Sequence, residues 1–316
     1  MNVLLQMDLD ESLIENICSV DKKVCVVRPE SETEALKIMP EIEVVCGEIN
    51  RSLFERRDKL AWIQTWGAGV DGQLYQELVE SNVILCSAKG TVGVHLADHA
   101  MALLLGLTRG LHTAIRNPSW ETRWPIRDSS WELIDRTMGI VGMGGTGSEL
   151  ARRASAFGMR VVAVDPEEVE VPSEVEACWK MEKFYSLLEQ SDVVIICAPL
   201  TAETEGLFDK EAFAHMRRNA LLINVTRGKI VDEKSLVDAL TRDKIGGAGL
   251  DVVPQEPLPI DHPLWEMDNV LITPHTAGGS PNRNAVSYTH LRAHETLRSV
   301  VCRLLLEKKR GGGGGG

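Results

Sequence analysis

The chain has 316 residues, 44% hydrophobic and 25% charged, which suits one large or two ordinary water-soluble domains. A net charge of -12 argues against nucleic acid, or an anionic membrane surface, as a partner held by bulk charge. The start turns acidic without a basic leader, no apolar run reaches membrane-spanning length, and seven scattered cysteines form no Cys-x-x-Cys pair; the expectation is a cytoplasmic protein with reduced thiols and no metal site.

Apolar runs at 3–7, 24–28, 44–46, 62–65 and 83–86 predict strands, with helices at 31–39 and 51–59 among them. A long helix is expected at 94–110, where Ala97, Ala100, Met101, Leu104 and Leu105 fall at helical spacing and Gly110 supplies a stop. It reads as the crossing into a second domain. Residues 117–136, rich in Trp, Pro and charge, read as a loop with short turns. Strands then follow at 137–141, 160–164, 193–197, 221–225, 249–252 and 270–273, with helices at 147–157, 183–190, 210–216 and 233–242. This alternation predicts an α/β chain with parallel sheets covered on both faces. Domains are expected at 1–94 and 95–284.

Gly142-Met143-Gly144-Gly145-Thr146-Gly147 lies where the 137–141 strand meets the next helix. That context turns a weak glycine pattern into a dinucleotide fingerprint. Gly142 permits the tight turn, Gly144 leaves space for a pyrophosphate, and Gly147 lets helix and strand pack closely. Gly145 and Thr146 complete the cofactor loop, and the helix N-terminus offers N–H groups and a positive dipole end to the phosphates. Asp165 ends the following strand, 18 residues beyond Gly147, where a carboxylate accepts from both ribose hydroxyls and repels a 2′-phosphate. No arginine follows, only Pro166-Glu167-Glu168, so NAD(H) is favoured over NADP(H).

Further segments run in a fixed order: Trp66-Gly67-Ala68-Gly69-Val70-Asp71, Pro199-Leu200-Thr201-Ala202-Glu203-Thr204, Asn224-Val225-Thr226-Arg227-Gly228, Gly249-Leu250-Asp251-Val252, Gln255-Glu256-Pro257-Leu258 and Thr273-Pro274-His275. With the glycine fingerprint, they make the chain resemble the D-isomer-specific 2-hydroxyacid dehydrogenase family from about residue 40 to 282. The resemblance implies two Rossmann-like or flavodoxin-like doubly wound domains flanking a cleft, NAD(H) as cofactor, a small 2-keto or 2-hydroxy acid as substrate, and a homodimer formed through the dinucleotide domain.

Reduction of a keto acid needs a hydride and a proton. His275 is the candidate acid, since imidazole titrates near neutrality. Glu256 can accept from its other ring nitrogen and fix the tautomer. Arg227 can hold the substrate carboxylate with a planar fork and polarise the carbonyl. Gly67, Ala68, Gly69 and Val70 form a suitable backbone nest for that carboxylate, and the resemblance docks it there, facing Arg227. Trp66 is bulkier than the small polar residue expected before this loop. The resemblance also brings Pro199 to the cofactor, Thr204 near its pyrophosphate, Thr226 near the nicotinamide and Asp251 to the carboxamide. His99 recurs at its helix in the family and reads as a packing or interdomain residue. The leading expectation is a glyoxylate or hydroxypyruvate type of reductase. A phosphoglycerate-type dehydrogenase is an alternative, with Arg51 as a possible contact. A non-enzymatic NAD(H)-sensing corepressor-like scaffold is another.

Residues 286–316 read differently. Residues 286–296 resemble the translation of a transposase-based sequencing adapter, 301–309 its far end running into poly-A, and 311–316 a poly-G run. The 285–316 tail is therefore expected to be artefactual, with natural sequence stopping near Asn284 and a C-terminal helix that packs on the first domain replaced. Weaker stability and looser domain closure are expected to follow.

Overall fold

The computed structural model describes residues 1–280 apart from 8, 20, 68, 89 and 90. Ala68 and the 285–316 tail therefore lie outside the described residues. The rest falls into two units, Met1–Thr91 and Val92–Ser280.

The first unit runs β1 (Asn2–Gln6), α1 (Glu11–Ser19), β2 (Cys25–Val27), α2 (Glu32–Ile38), β3 (Val44–Gly47), α3 (Arg51–Glu55), β4 (Trp62–Gln64), α4 (Gln76–Val79) and β5 (Ile84–Cys86). Its strands pair in parallel in the order β2-β1-β3-β4-β5, the flavodoxin-like arrangement. Successive side chains leave opposite faces of a strand. Leu4, Val45 and Ile63 thus join one apolar layer, while Val3, Leu5, Val44 and Cys46 join the other. Ser31 caps α2 by accepting from the Glu34 amide, and Asn50 caps α3 by accepting from Leu53. The helix expected at 51–59 stops at Glu55, because the chain turns to bury Leu60 beside Phe54.

The second unit runs α5 (Gly93–Thr108), α6 (Leu111–Arg116), α7 (Arg123–Ser129), β6 (Thr137–Val141), α8 (Gly145–Ala156), β7 (Arg160–Val164), β8 (Ala177–Trp179), α9 (Phe184–Gln190), β9 (Val193–Ile196), α10 (Lys210–His215), β10 (Leu221–Asn224), α11 (Glu233–Thr241), β11 (Gly247–Leu250) and β12 (Val270–Ile272). The sheet order is β12-β11-β10-β9-β6-β7-β8, all parallel, with the reversal between β6 and β9. This is the Rossmann order, and ligands bind beyond the carboxyl ends of the strands at that reversal. Every residue of β6, β9, β10 and β11 is buried, as parallel strands covered on both faces require. The 117–136 stretch is more helical than its composition implied. α7 tolerates Pro125 because a first-turn residue needs no N–H for the helix ladder, and Arg123 and Arg127 lie over the Trp124 ring. Both units are parallel α/β folds, as the sequence predicts.

Candidate active site

The glycine fingerprint sits at the reversal point of the seven-stranded sheet. Gly142 follows β6 with φ +97°, and its N–H donates to Val164 O at 2.9 Å. A Cβ there would stand 2.6 Å from Ala198 N, just past β9, so only glycine fits. A Cβ on Gly147 would meet Gly142 O at 2.4 Å, which locks the first turn of α8 against the loop. Gly144 differs: a Cβ would meet nothing within 4 Å. It is the N-cap residue of α8, and no side chain caps the helix. An open, uncapped helix start on a glycine loop suits a pyrophosphate. The start of α5 presses on the same place, since a Cβ on Gly93 would lie 2.9 Å from Gly145 backbone atoms.

Asp165 follows β7 and is tied to this loop. Its Oδ2 accepts from Met143 N at 2.7 Å and its Oδ1 from Glu167 N at 2.9 Å. Lys180, from beyond β8, donates to Pro166 O at 2.9 Å. Sequence reading missed this lysine, because 14 residues separate it from its partner. Pro199 and Thr204 come together past β9: Thr204 Oγ1 donates to Pro199 O at 2.7 Å and accepts from Thr201 N at 2.8 Å.

Arg227 and Thr226 lie just beyond β10. Asn224, a buried polar residue at the strand end, shapes their turn: Nδ2 donates to Arg227 O at 2.9 Å, and Oδ1 accepts from Thr226 N at 3.2 Å. The signal for Asn224 was a polar residue closing an otherwise apolar strand. One Arg227 donor, Nη1, goes to Thr226 O at 2.7 Å. Gly228 then meets the segment after β11 so closely that a Cβ would be 1.9 Å from Val253 C. Val253 N in turn donates to Glu256 Oε1 at 3.1 Å. The other carboxylate oxygen, Oε2, holds His275 Nδ1 at 2.7 Å. Backbone contact and two hydrogen bonds therefore link the segments that carry Arg227, Glu256 and His275.

His275 has φ +53°, uncommon for a residue with a Cβ. Its N–H donates to Asp251 O at 2.8 Å and Thr273 O at 3.0 Å, which holds the turn. The Asp251 side chain, 1% exposed, faces this same turn. It accepts from Thr273 Oγ1 at 2.7 Å, Thr276 N at 2.8 Å and Ala277 N at 2.9 Å. His275 itself stays half-exposed.

In the first unit, Gly67, Gly69 and Val70 follow β4. Gly67 O accepts from Thr65 Oγ1 at 2.9 Å and from Ala88 N at 3.1 Å, and Val70 O accepts from Gln73 N at 2.9 Å. The Gly67 and Val70 carbonyls are thereby engaged within the unit. Trp66 is buried beside Val3, Leu5 and Val44, so its bulk fills the core. Arg51 is engaged by Glu55 at 3.2 Å and by Glu77.

A family model described as the NAD-binding domain of D-isomer-specific 2-hydroxyacid dehydrogenases matches residues 101–277. A glyoxylate reductase of Korarchaeum cryptofilum is 37% identical over 246 residues, 76% of this chain and 73% of that protein. A D-3-phosphoglycerate dehydrogenase of Methanocaldococcus jannaschii is 33% identical over 234 residues, 72% of this chain, but the match spans only 43% of that relative. Among solved structures, a D-isomer-specific 2-hydroxyacid dehydrogenase from Xanthobacter autotrophicus Py2, in complex with NADPH and MES, superposes with a TM-score of 0.75 at 25% identity, covering 93% of this chain and 96% of the other.

Proposed function

This chain belongs to the D-isomer-specific 2-hydroxyacid dehydrogenase family, and from that premise we propose that it reduces a small 2-keto acid, of the glyoxylate or hydroxypyruvate kind, with NADH. The observation that carries the reading is the 2.7 Å contact between Glu256 Oε2 and His275 Nδ1. A carboxylate can only accept, so Nδ1 carries a proton and Nε2 is left for the substrate. His275 donates the Nε2 proton to the carbonyl oxygen as negative charge grows there, and takes it back in the reverse direction. Arg227 holds the substrate carboxylate and polarises the carbonyl. Gly67, Ala68, Gly69 and Val70, on the resemblance, are a backbone nest for a carboxylate. The dinucleotide, held by the Gly142–Gly147 loop with Pro199, Thr204, Thr226 and Asp251, supplies the hydride.

Asp165 supports NADH over NADPH, because its fixed carboxylate and the following Glu167 and Glu168 disfavour a 2′-phosphate. The phosphoglycerate alternative is less favoured, since Glu55 and Glu77 already occupy Arg51. A homodimer through the second unit is supported by Ile115 and Trp120, 78% and 87% exposed, with Leu111 and Trp124 also exposed nearby in sequence. The six described cysteines are free thiols, which supports a reducing, cytoplasmic setting. No helix among the described residues is long and apolar enough to cross a membrane.

The test is NADH oxidation with glyoxylate, pyruvate and hydroxypyruvate, beside NADPH. His275→Ala should lower kcat by about 100- to 10,000-fold and leave the Kd for NADH unchanged. Surviving turnover would remove His275 from the acid role. Tight NADH binding by the unaltered protein, without turnover of any keto acid, would favour the sensing scaffold.

A further inference from the structure

His99 lies on α5, 174 residues before Thr273 in the chain, yet its Nε2 sits 2.8 Å from Thr273 Oγ1. The same nitrogen is 3.3 Å from Asp251 Oδ1. Thr273 Oγ1 is itself 2.7 Å from Asp251 Oδ1. The hydrogens of this triangle can be assigned. An ionised carboxylate has no proton to give, and Asp251 already accepts from the Thr276 and Ala277 amides. The single Thr273 hydroxyl proton therefore goes to Asp251. Thr273 Oγ1 is left an acceptor towards His99, so His99 Nε2 must carry a proton. The chain of donation runs His99 Nε2–H to Thr273 Oγ1–H to the Asp251 carboxylate.

We propose that His99 is a positioning residue that holds the His275 turn through Thr273 and Asp251. The proposal rests on the reading of His275 as proton donor. Three residues of the turn, Thr273, Thr276 and Ala277, are tied to one carboxylate. That carboxylate is buried, so its hydrogen bonds are stronger than they would be in water, and losing one is costly. His99 fixes the direction of the hydroxyl bond in the set and brings a proton-bearing nitrogen to the buried oxygen. Without it, Thr273 Oγ1 loses the donor that polarises its hydroxyl, and the bond from that hydroxyl to the Asp251 carboxylate weakens. The imidazole of His275 then loses its fixed place opposite Glu256, and misplacement by about 1 Å is enough to lower a rate about a hundredfold.

Two arms test this on the full-length chain. In the kinetic arm, His99→Leu lowers kcat about tenfold or more, with Kd for NADH within about twofold of the unaltered protein. His99→Gln restores most of the loss, because its amide Nε2 also donates. Thr273→Val lowers kcat similarly, and the His99→Leu/Thr273→Val double variant is no worse than the poorer single variant. In the second arm, the ¹⁵N shifts of His99 report a protonated Nε2 in the unaltered protein, and Thr273→Val moves that signal. Additive losses, no rescue by glutamine, or an unprotonated Nε2 would each overturn the proposal. If His99→Leu does not fold, the ¹⁵N shifts and Thr273→Val decide it. A chain that turns over no keto acid but shows the protonated Nε2, sensitive to Thr273→Val, would sink the reductase reading and leave the hydrogen-bond chain standing.

Discussion

Gly147→Ala and Gly144→Ala add the same methyl group three residues apart and should fail in different ways. At Gly147 the new Cβ would lie 2.4 Å from Gly142 O, 3.1 Å from Met143 Sδ and 3.3 Å from Ile140 Cγ2. The nearest atom is backbone at a turn with φ +97°, so it cannot swing aside. Relief requires α8 to move off the sheet, and α8 buries Leu150, Ala151 and Ala154 completely. Overpacking of this kind costs about 2 kcal/mol, which in a unit of this size lowers Tm by about 4–8 °C. At Gly144 the methyl meets nothing within 4 Å, and φ is -77°, so the folding cost is only that of exchanging a glycine N-cap for alanine, about 0.5–1 kcal/mol and smaller than at Gly147. The methyl does occupy the space assigned to the pyrophosphate. The Kd for NADH should then rise tenfold or more, roughly 1.4 kcal/mol. Thermal unfolding without ligand and titration of NADH fluorescence read the two effects separately. A Gly144→Ala protein that binds NADH normally would refute the placement of the pyrophosphate. An unchanged Tm for Gly147→Ala would refute the packing argument.

Asp165→Ser should weaken NADH about tenfold, since bonds to a charged acceptor contribute about 1.5–3 kcal/mol, and should improve use of NADPH; an unchanged preference in steady-state kinetics would remove Asp165 from cofactor choice. Arg51→Ala should leave the KM for keto acids unchanged and alter stability by less than about 1 kcal/mol, because its ion pairs are exposed. A tenfold rise in KM would return Arg51 to the substrate site. Burial pushes the Cys46 thiol up to about 12, so at pH 8 it is held as the unreactive neutral form, and raising the pH to 9 leaves it so. Iodoacetamide should label the exposed Cys18 and Cys25 first; equal labelling of Cys46, read by peptide mass spectrometry, would contradict its burial.

The sheets were legible because parallel strands covered on both faces are written as unbroken apolar runs. Thr137–Val141 and Arg160–Val164 fall on the same residues in sequence and structure. Elements outside that rule escaped. β8 is three half-buried residues at a sheet edge, and α1 buries only Ile17, so neither carries a strong pattern. α7 was hidden by Pro125, whose cost vanishes in a first turn. At the site, residue types and order were readable, but partnerships across the chain were not. Nothing local to His99 points to Thr273, and nothing local to Asp251 announces that it gathers the turn around His275. Those contacts depend on β11, β12 and α5 being brought side by side by the fold.

The uncapped start of α8 has a consequence for the protein's lifetime. A glycine cap leaves a helix start about a few tenths of a kcal/mol short of what a capping side chain supplies, and an anion seated there can add what is missing. Any ligand that binds only the folded chain raises its stability as occupancy grows, by about 2.7 kcal/mol at a hundredfold excess over Kd. The dinucleotide is then a removable piece of secondary structure as well as a reagent. Protease resistance near Gly144 should follow nucleotide supply, so a cell depleted of the dinucleotide would lose this protein by degradation as well as by idleness.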